Sequence, residues 1–434
     1  MHLRIIIIGA GVGGLTSAIA LRRMGHSAMS LTNTSNLYGK IFDRSMFASE
    51  LGAAISLSPN GARVLASLGF SFERAEACPM PVFESVDGYT LERLVSVNLE
   101  DAVEKYGFGY MSVHRVDLHS ELLRLASEHG QCRIDLRLGI TAEAICTADR
   151  DVLAVRTSDG EIIEADLVIG ADGIHSMTRN VVLERTASSA GCLRNMEAFR
   201  LTIPTETIEA SDDIAYLRNW KSAGTTVIAD TAEIAGERHM VWYPCRRGKL
   251  HNIVGVCPST STFGRQQDMN AHAALLSEFG HLHQDVVKLL RLAENVTRWE
   301  LPFYEPFSHW SRGNTVLIGD AAHPMQPFGA QGANQAIEDA GALGILFQDV
   351  HDSAEVSSRL RIFEAVKRKR TSMIQILSST RIGREASVAD RLREFAVPGT
   401  DVPKNFEERI EHAFGFEILK ASVKALEVHL SQRI

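Results

Sequence analysis

Four consecutive isoleucines, Ile5 to Ile8, run straight into Gly9-Ala10-Gly11-Val12-Gly13-Gly14. A short β-branched run of this kind reads as a parallel strand buried on both faces. Leu15, Ala18, Ile19 and Arg22 follow at helical spacing, and Gly25 stands where that helix should end. The three spaced glycines have separate tasks in a strand–turn–helix unit. Gly9 permits the tight turn, Gly11 lets a pyrophosphate approach the backbone, and Gly14 lets the helix lie close on the strand. The unpaired N–H groups at the helix start then face the phosphates. An α/β layer opening on a dinucleotide site is the first constraint on the fold.

A second turn of similar composition lies far downstream. It reads Gly319-Asp320-Ala321-Ala322-His323-Pro324-Met325-Gln326-Pro327, followed by Gly332-Ala333-Asn334. The latter opens a helix through Ile337, Ala340, Leu343, Gly344 and Phe347. Two such turns argue for one long cofactor lying across the whole fold, and FAD has that length. A plain NAD dehydrogenase has no use for the second turn.

The first unit also calls for an acidic residue at the end of its second strand. Residues 27–39 are polar and unlike a strand. Lys40-Ile41-Phe42 is the convincing strand, and it ends at Asp43-Arg44. Asp43 is therefore expected to hold the ribose, roughly ten residues later than such units usually place their acid. Residues 27–39 then contain an insertion. It is either a surface loop or translated intron sequence, since Gly25-His26 would join naturally to Lys40.

The net charge of −8 on 434 residues is small and argues against a nucleic-acid partner. The dense basic run Lys367-Arg368-Lys369-Arg370 reads as a solvated helix face. Six scattered cysteines form no Cys-x-x-Cys pair and no metal-ligand spacing, so no metal is expected and a reducing, cytoplasmic setting is. No stretch reaches the ~18 apolar residues that a membrane span needs.

Between the two turns lie Gly52-Ala53-Ala54-Ile55, then Ser112-Val113-His114-Arg115-Val116-Asp117-Leu118-His119, then Gly170-Ala171-Asp172-Gly173. Taken singly, Asp172 reads as a helix cap and Arg115 as a surface ion pair. Their order, with Phe42-Asp43-Arg44-Ser45, Ala198-Phe199-Arg200, Tyr243-Pro244-Cys245-Arg246 and Glu338-Asp339, resembles the group A flavoprotein aromatic hydroxylases. These are single-component FAD monooxygenases, and the detail is most similar to their salicylate hydroxylase-like branch. The resemblance runs from residue 4 to about 375; the last sixty residues match only loosely.

The resemblance implies an α/β fold: a Rossmann-like FAD-binding domain, an antiparallel β-sheet substrate domain and a C-terminal helical segment. The FAD domain would take residues 1–185 and 296–352, the substrate domain 186–295 and the helical segment 353–434. It implies that Gly9, Gly11 and Gly14 hold the pyrophosphate, with Asp43, Arg44 and Ala54 nearby on the cofactor. Arg115 would reach the pyrophosphate or ribityl region. Asp172 and Gly173 would serve both FAD and a passing NAD(P)H. Asp320 would accept from the ribityl chain, and Gly332, Ala333 and Asn334 would face the flavin pyrimidine edge. His323 fits a positioning role better than that of a base.

Strand-like runs between residues 185 and 295 suggest the sheet that covers the flavin. Phe199 and Trp242 are candidate substrate contacts, with Pro327 and Phe328 as the flavin-side wall. Arg200 and Tyr243 are candidates to assist loss of the substrate's phenolic proton. The implied reaction uses NAD(P)H and O2 to hydroxylate a phenolic or other electron-rich aromatic through a flavin C4a-hydroperoxide. Epoxidation, oxidative dearomatisation and a flavin-binding paralogue without turnover stay open. The C-terminal helices are expected to pack on the body or to build a homodimer.

Overall fold

The computed structural model describes residues 3–32, 54–128, 132–147, 152–184, 195–221, 223–232, 238–259 and 270–432. Its first layer is a six-stranded sheet in the order Ser311–Arg312, Thr315–Leu317, Leu167–Gly170, Arg4–Ile8, Ser27–Thr32, Ile134–Leu138. All pairings are parallel except the short edge pair Ser311–Arg312 with Thr315–Leu317. Ile5 to Ile8 sit at its centre and are buried on both faces, as their composition requires. The helix Val12–Arg23 follows, and Gly25 takes a left-handed φ of 88° just beyond its end. Across that helix lies a second one, Gly332–Leu346, fully wrapped by protein along most of its length.

One expectation is corrected here. The second parallel strand is Ser27–Thr32, in register with the first from Arg4 against Ser27 to Ile8 against Leu31. Its polar composition hid it. Pairing on both edges, with Arg4–Ile8 and Ile134–Leu138, overrides a weak strand propensity. The second strand therefore ends at Thr32 and not at Asp43. Lys40-Ile41-Phe42, Asp43 and Arg44 lie outside the described residues.

The second layer is a seven-stranded sheet in the order Val296–Pro302, Asn195–Pro204, Leu250–Pro258, His239–Cys245, Thr225–Ala229, Val82–Asp87, Arg93–Asn98. It is antiparallel apart from the pairing of Thr225–Ala229 with Val82–Asp87. The sheet thus reaches beyond 186–295 and draws two strands from before residue 100. The helices Ala271–Phe279 and Gln284–Arg291 cover its outer face and share a core with Phe199, Leu201, Trp242 and Ile253. Its inner face looks toward the first layer. The C-terminal part holds a long helix, Val356–Ser378, and three shorter ones, Ala389–Arg393, Phe406–Phe414 and Ile418–Ser431.

Candidate active site

The glycine turn can be tested atom by atom. Gly9 has a φ of 109°, and a Cβ on it would lie 2.3 Å from the Ala171 carbonyl oxygen. A Cβ on Gly14 would lie 2.1 Å from the Gly9 oxygen. Neither position admits a side chain, because the obstructing atoms are backbone. Gly11 differs: nothing stands within 4 Å of the place its Cβ would take. It caps the Val12–Arg23 helix, and Gly11, Val12 and Gly13 line an open cavity. Gly9 and Gly14 shape the loop, while Gly11 leaves the approach clear.

The second turn faces the same cavity through Gly319, Asp320, Gly332 and Ala333. Arg179 ties the Asp172-Gly173 turn to this second glycine turn, a part that sequence reasoning passed over. It donates to the Asp320 and Ala321 carbonyl oxygens at 2.5 and 2.8 Å, and to those of Ile174 and Gly173 at 2.8 and 3.2 Å. Asp172 itself is turned inward. Its carboxylate accepts from the Ser176 hydroxyl at 2.6 Å and from Thr178 N at 3.0 Å, so the helix-cap reading describes its side chain. Only its neighbours Ala171 and Gly173 border the cavity.

Asn334 is also a structural lock. Its amide donates to Ser56 O and Ala330 O at 2.9 Å each and accepts from Ser58 N at 3.0 Å. This holds the strand Ala54–Leu57 against the start of the Gly332–Leu346 helix. That strand brings Ala54 to the cavity, and Arg115 reaches it from the first turn of the helix Arg115–Ala126. Asp320 is an exposed residue that lines the cavity. Enclosure there pushes its pKa up from the usual carboxylate value, against the pull of His323, Arg115, Arg179 and Arg200.

Behind the Gly332–Leu346 helix lies a buried ionic network. His323 Nε2 meets Asp339 Oδ2 at 2.6 Å, and Asp339 Oδ2 also accepts from Gly319 N at 2.9 Å. Lys367 Nζ lies 2.8 Å from Glu338 and 3.3 Å from Asp339, and Arg370 lies 3.0 Å from Glu338. Lys367 has no exposed surface and Arg370 little, so the reading of this run as a solvated face is corrected for these two residues, while Lys369 remains exposed. The i,i+3 spacing of Lys367 and Arg370 aims both at one helix, and two adjacent acids there receive them. His323 is wholly buried in this network.

The cavity continues from the turns under the inner face of the seven-stranded sheet and has a volume of about 580 Å³. Strand alternation decides which residues reach it. Ala198, Arg200, Val241 and Tyr243 do. Phe199 and Trp242 point the other way, wholly buried against Phe279 and its neighbours. Their assignment as substrate contacts is therefore corrected: each lies one residue out of phase. Pro327 and Phe328 form part of the opposite wall, with Phe328 edge-on to His239 at 5.0 Å between centroids.

Arg200 lies over the Trp299 ring at 5.0 Å and opens on the cavity. Tyr243 also borders it, but its hydroxyl donates to Ala54 O at 2.8 Å. Burial pushes that hydroxyl well above its ordinary pKa, and Tyr110 and Cys245 add to the shift. Tyr243 is thus a fixed strut, which weighs against a part in deprotonation. The remaining wall was not foreseen. It comes from the end of the Val356–Ser378 helix and from Phe406–Phe414, where Ile374, Leu377, Ile410 and Phe414 face the cavity.

A family model for the FAD binding domain matches residues 2–374. The chain belongs to that family. An FAD-dependent monooxygenase of Diaporthe leptostromiformis is 32% identical over 405 residues, covering 89% of this chain and 97% of its own. The 3-amino-4-hydroxybenzoate 2-monooxygenase of Streptomyces cremeus is 33% identical over 380 residues, covering 86% and 85%. A solved salicylate hydroxylase–substrate complex has the same fold, with a TM-score of 0.71 at 21% identity over 98% of each chain. The group A resemblance of the motifs therefore holds, and the chain stands among FAD-dependent oxidoreductases. The site fits the cofactor on its own geometry. Gly11 leaves a cradle that a Cβ would fill, and the cavity joins it to the first turn of Gly332–Leu346.

Proposed function

We propose that this protein is an FAD monooxygenase that uses NAD(P)H and O2 to hydroxylate a phenolic or similarly electron-rich aromatic small molecule. One observation carries the reading: a single cavity connects the phosphate loop, the second glycine turn and an apolar chamber beneath the sheet. Bound FAD would supply the two-electron exchange with NAD(P)H and the activation of oxygen.

The chain's own residues do the rest. The open backbone at Gly11 and the helix start behind it receive the pyrophosphate, with Arg115 adding charge. Asp43 and Arg44 remain our candidates for the adenosine end. Asp320 accepts from the ribityl hydroxyls. The first-turn N–H groups of Gly332, Ala333 and Asn334 stabilise negative charge at the flavin pyrimidine edge. Phe328, Pro327 and the apolar strand residues exclude water from the ring. Arg200 favours the ionised form of a phenolic substrate, since a cation lowers the pKa of a nearby acid.

We divide the chain functionally as FAD-binding residues 1–185 and 296–352, a substrate sheet centred on 186–295 and a helical segment from 353. We place the enzyme in the cytoplasm, where the five described cysteines, all unbonded, would stay reduced. Among the described residues no helix is long and apolar enough to cross a membrane. The reading predicts a yellow protein that releases FAD and whose NAD(P)H oxidation is stimulated by a hydroxybenzoate or phenol. A colourless protein that takes up no added FAD would overturn it.

A further inference from the structure

The helix Phe406–Phe414 lies in the part of the sequence that matched the family motifs only loosely. It turns one face to the chamber: Phe406, Arg409, Ile410, Ala413 and Phe414, at helical i, i+3, i+4, i+7, i+8 spacing. The Asn405 side chain caps its start by accepting from Glu408 N at 2.9 Å. Two arginines hold its end. Arg370 donates to His412 O at 2.7 Å and Ala413 O at 3.0 Å. Arg63 donates to Phe414 O at 2.9 Å and Phe416 O at 2.6 Å. Through its pairing with Glu338, Arg370 also fixes this wall to the helix whose first turn we assign to the flavin.

Arg409 is the polar member of the face. Its Nη1 donates to Thr380 O at 3.0 Å and lies 3.4 Å from Glu385. Its Nη2 is buried without a hydrogen-bond partner among the described residues. That nitrogen stands beside Gly329, where a Cβ would come within 3.0 Å of it. The Gln326 amide nitrogen, on the same chamber, is buried and has no hydrogen-bond partner among the described residues either. Buried N–H groups are almost always paired, so two orphans in the chamber wall mark where a small side-chain shift would gain a ligand oxygen. The ionisable side chains around the chamber point the same way. Among the described residues, the charged side chains that line it are Arg115, Arg200, Arg381 and Arg409, against one acid, Asp320, at the flavin end. Glu385 offsets part of the Arg409 charge from behind. The balance favours an anion.

We infer that the C-terminal helix is the acceptor-recognition element of this enzyme. Phe406, Ile410 and Phe414 hold the apolar body of the substrate, and Arg409 with Gln326 holds an ionised oxygen on it. The inference rests on the monooxygenase reading, and binding tests it without turnover.

The FAD-loaded full-length protein is titrated with 4-hydroxybenzoate, salicylate and their methyl esters, following the visible flavin bands. Ile410→Ala should weaken acids and esters alike. Arg409→Met should weaken the acids relative to the esters by about tenfold or more, the worth of a charge-assisted hydrogen bond. Arg409→Lys should restore part of that difference. Val423→Ala, on the exposed face of the last helix, should change nothing. If Arg409→Met fails to fold, Gln326→Met carries the same acid-against-ester readout. Wild-type affinities in both Ile410→Ala and Gln326→Met overturn the inference. So does an FAD-loaded wild type that answers to none of the acids. A wild type that takes up no FAD overturns the underlying reading instead.

Discussion

Alanine at Gly11 and alanine at Gly14 should fail in opposite ways. At Gly14 the new Cβ would sit 2.1 Å from the Gly9 oxygen and 3.1 Å from its carbonyl carbon. Backbone cannot step aside as a side chain can, so the helix must lift from the strand. Overpacking of this kind costs about 1–3 kcal/mol in fold stability. At Gly11 nothing lies within 4 Å, and the backbone (φ −72°, ψ −172°) is open to any residue. Alanine is a poorer helix cap by about 0.5–1 kcal/mol. It regains about 0.4–1 kcal/mol by stiffening the unfolded chain. The apoprotein should therefore melt where wild type does. Its methyl group, however, stands where the pyrophosphate must approach. Losing one charge-assisted N–H bond to phosphate is worth about 1.5–3 kcal/mol, or roughly a 10- to 150-fold rise in the FAD dissociation constant. Thermal melts of the apoproteins and FAD titration by flavin fluorescence read both quantities. A Gly11→Ala protein that binds FAD like wild type, or melts as low as Gly14→Ala, would refute the reasoning.

Four further outcomes follow from the buried groups. Lys367→Met leaves Glu338 and Asp339 short of a partner, and breaking such a pair costs about 3–5 kcal/mol by urea denaturation; a loss within about 1 kcal/mol, the range of a surface pair, would contradict its burial in the network. Burial would raise the Glu338 carboxyl, but Arg370 and Lys367 hold it at about 2. Its contribution to stability is thus complete above the unfolded value near 4.3 and is lost as pH falls toward 2. Burial also depresses His251 to about 3 and His412 to about 4. The unfolded chain takes up these protons below about pH 6.5 while the fold does not, so stability should start to decline there. Denaturation midpoints that stay flat from pH 7 to 5 would contradict this. Tyr243→Phe should cost about 0.5–1.5 kcal/mol of stability and leave the pH profile of kcat unmoved; a shifted profile would return Tyr243 to the chemistry.

The parts that were legible in the sequence are those where local chemistry admits one reading. Ile5–Ile8 with the glycines after it determine a strand, a turn and a helix without help from the rest of the chain. The Gly319–Asn334 segment was legible because backbone approach demands small residues there. What stayed hidden depends on partners far away in sequence. Ser27–Thr32 has little strand character and becomes a strand by pairing on both sides. Phe199 and Trp242 were one residue from the cavity because composition does not say which face of a strand is inward. Lys367 and Arg370 looked like surface charges until Glu338 and Asp339, some thirty residues earlier, were seen to receive them. Arg179 gave no signal beyond following an Asp-Gly turn, since its partners are carbonyl groups. The wall built by Phe406, Ile410 and Phe414 had a legible apolar stripe but no sign of what it would cover.

The central claim is that this cavity transfers an oxygen atom to an aromatic ring. The most direct test supplies purified FAD-loaded protein with NAD(P)H under 18O-labelled O2 and a panel of hydroxybenzoates and phenols. The account predicts a product carrying one labelled oxygen, formed in step with NAD(P)H consumption. NAD(P)H oxidation that yields only hydrogen peroxide across the panel, with no label in any ring, would contradict it.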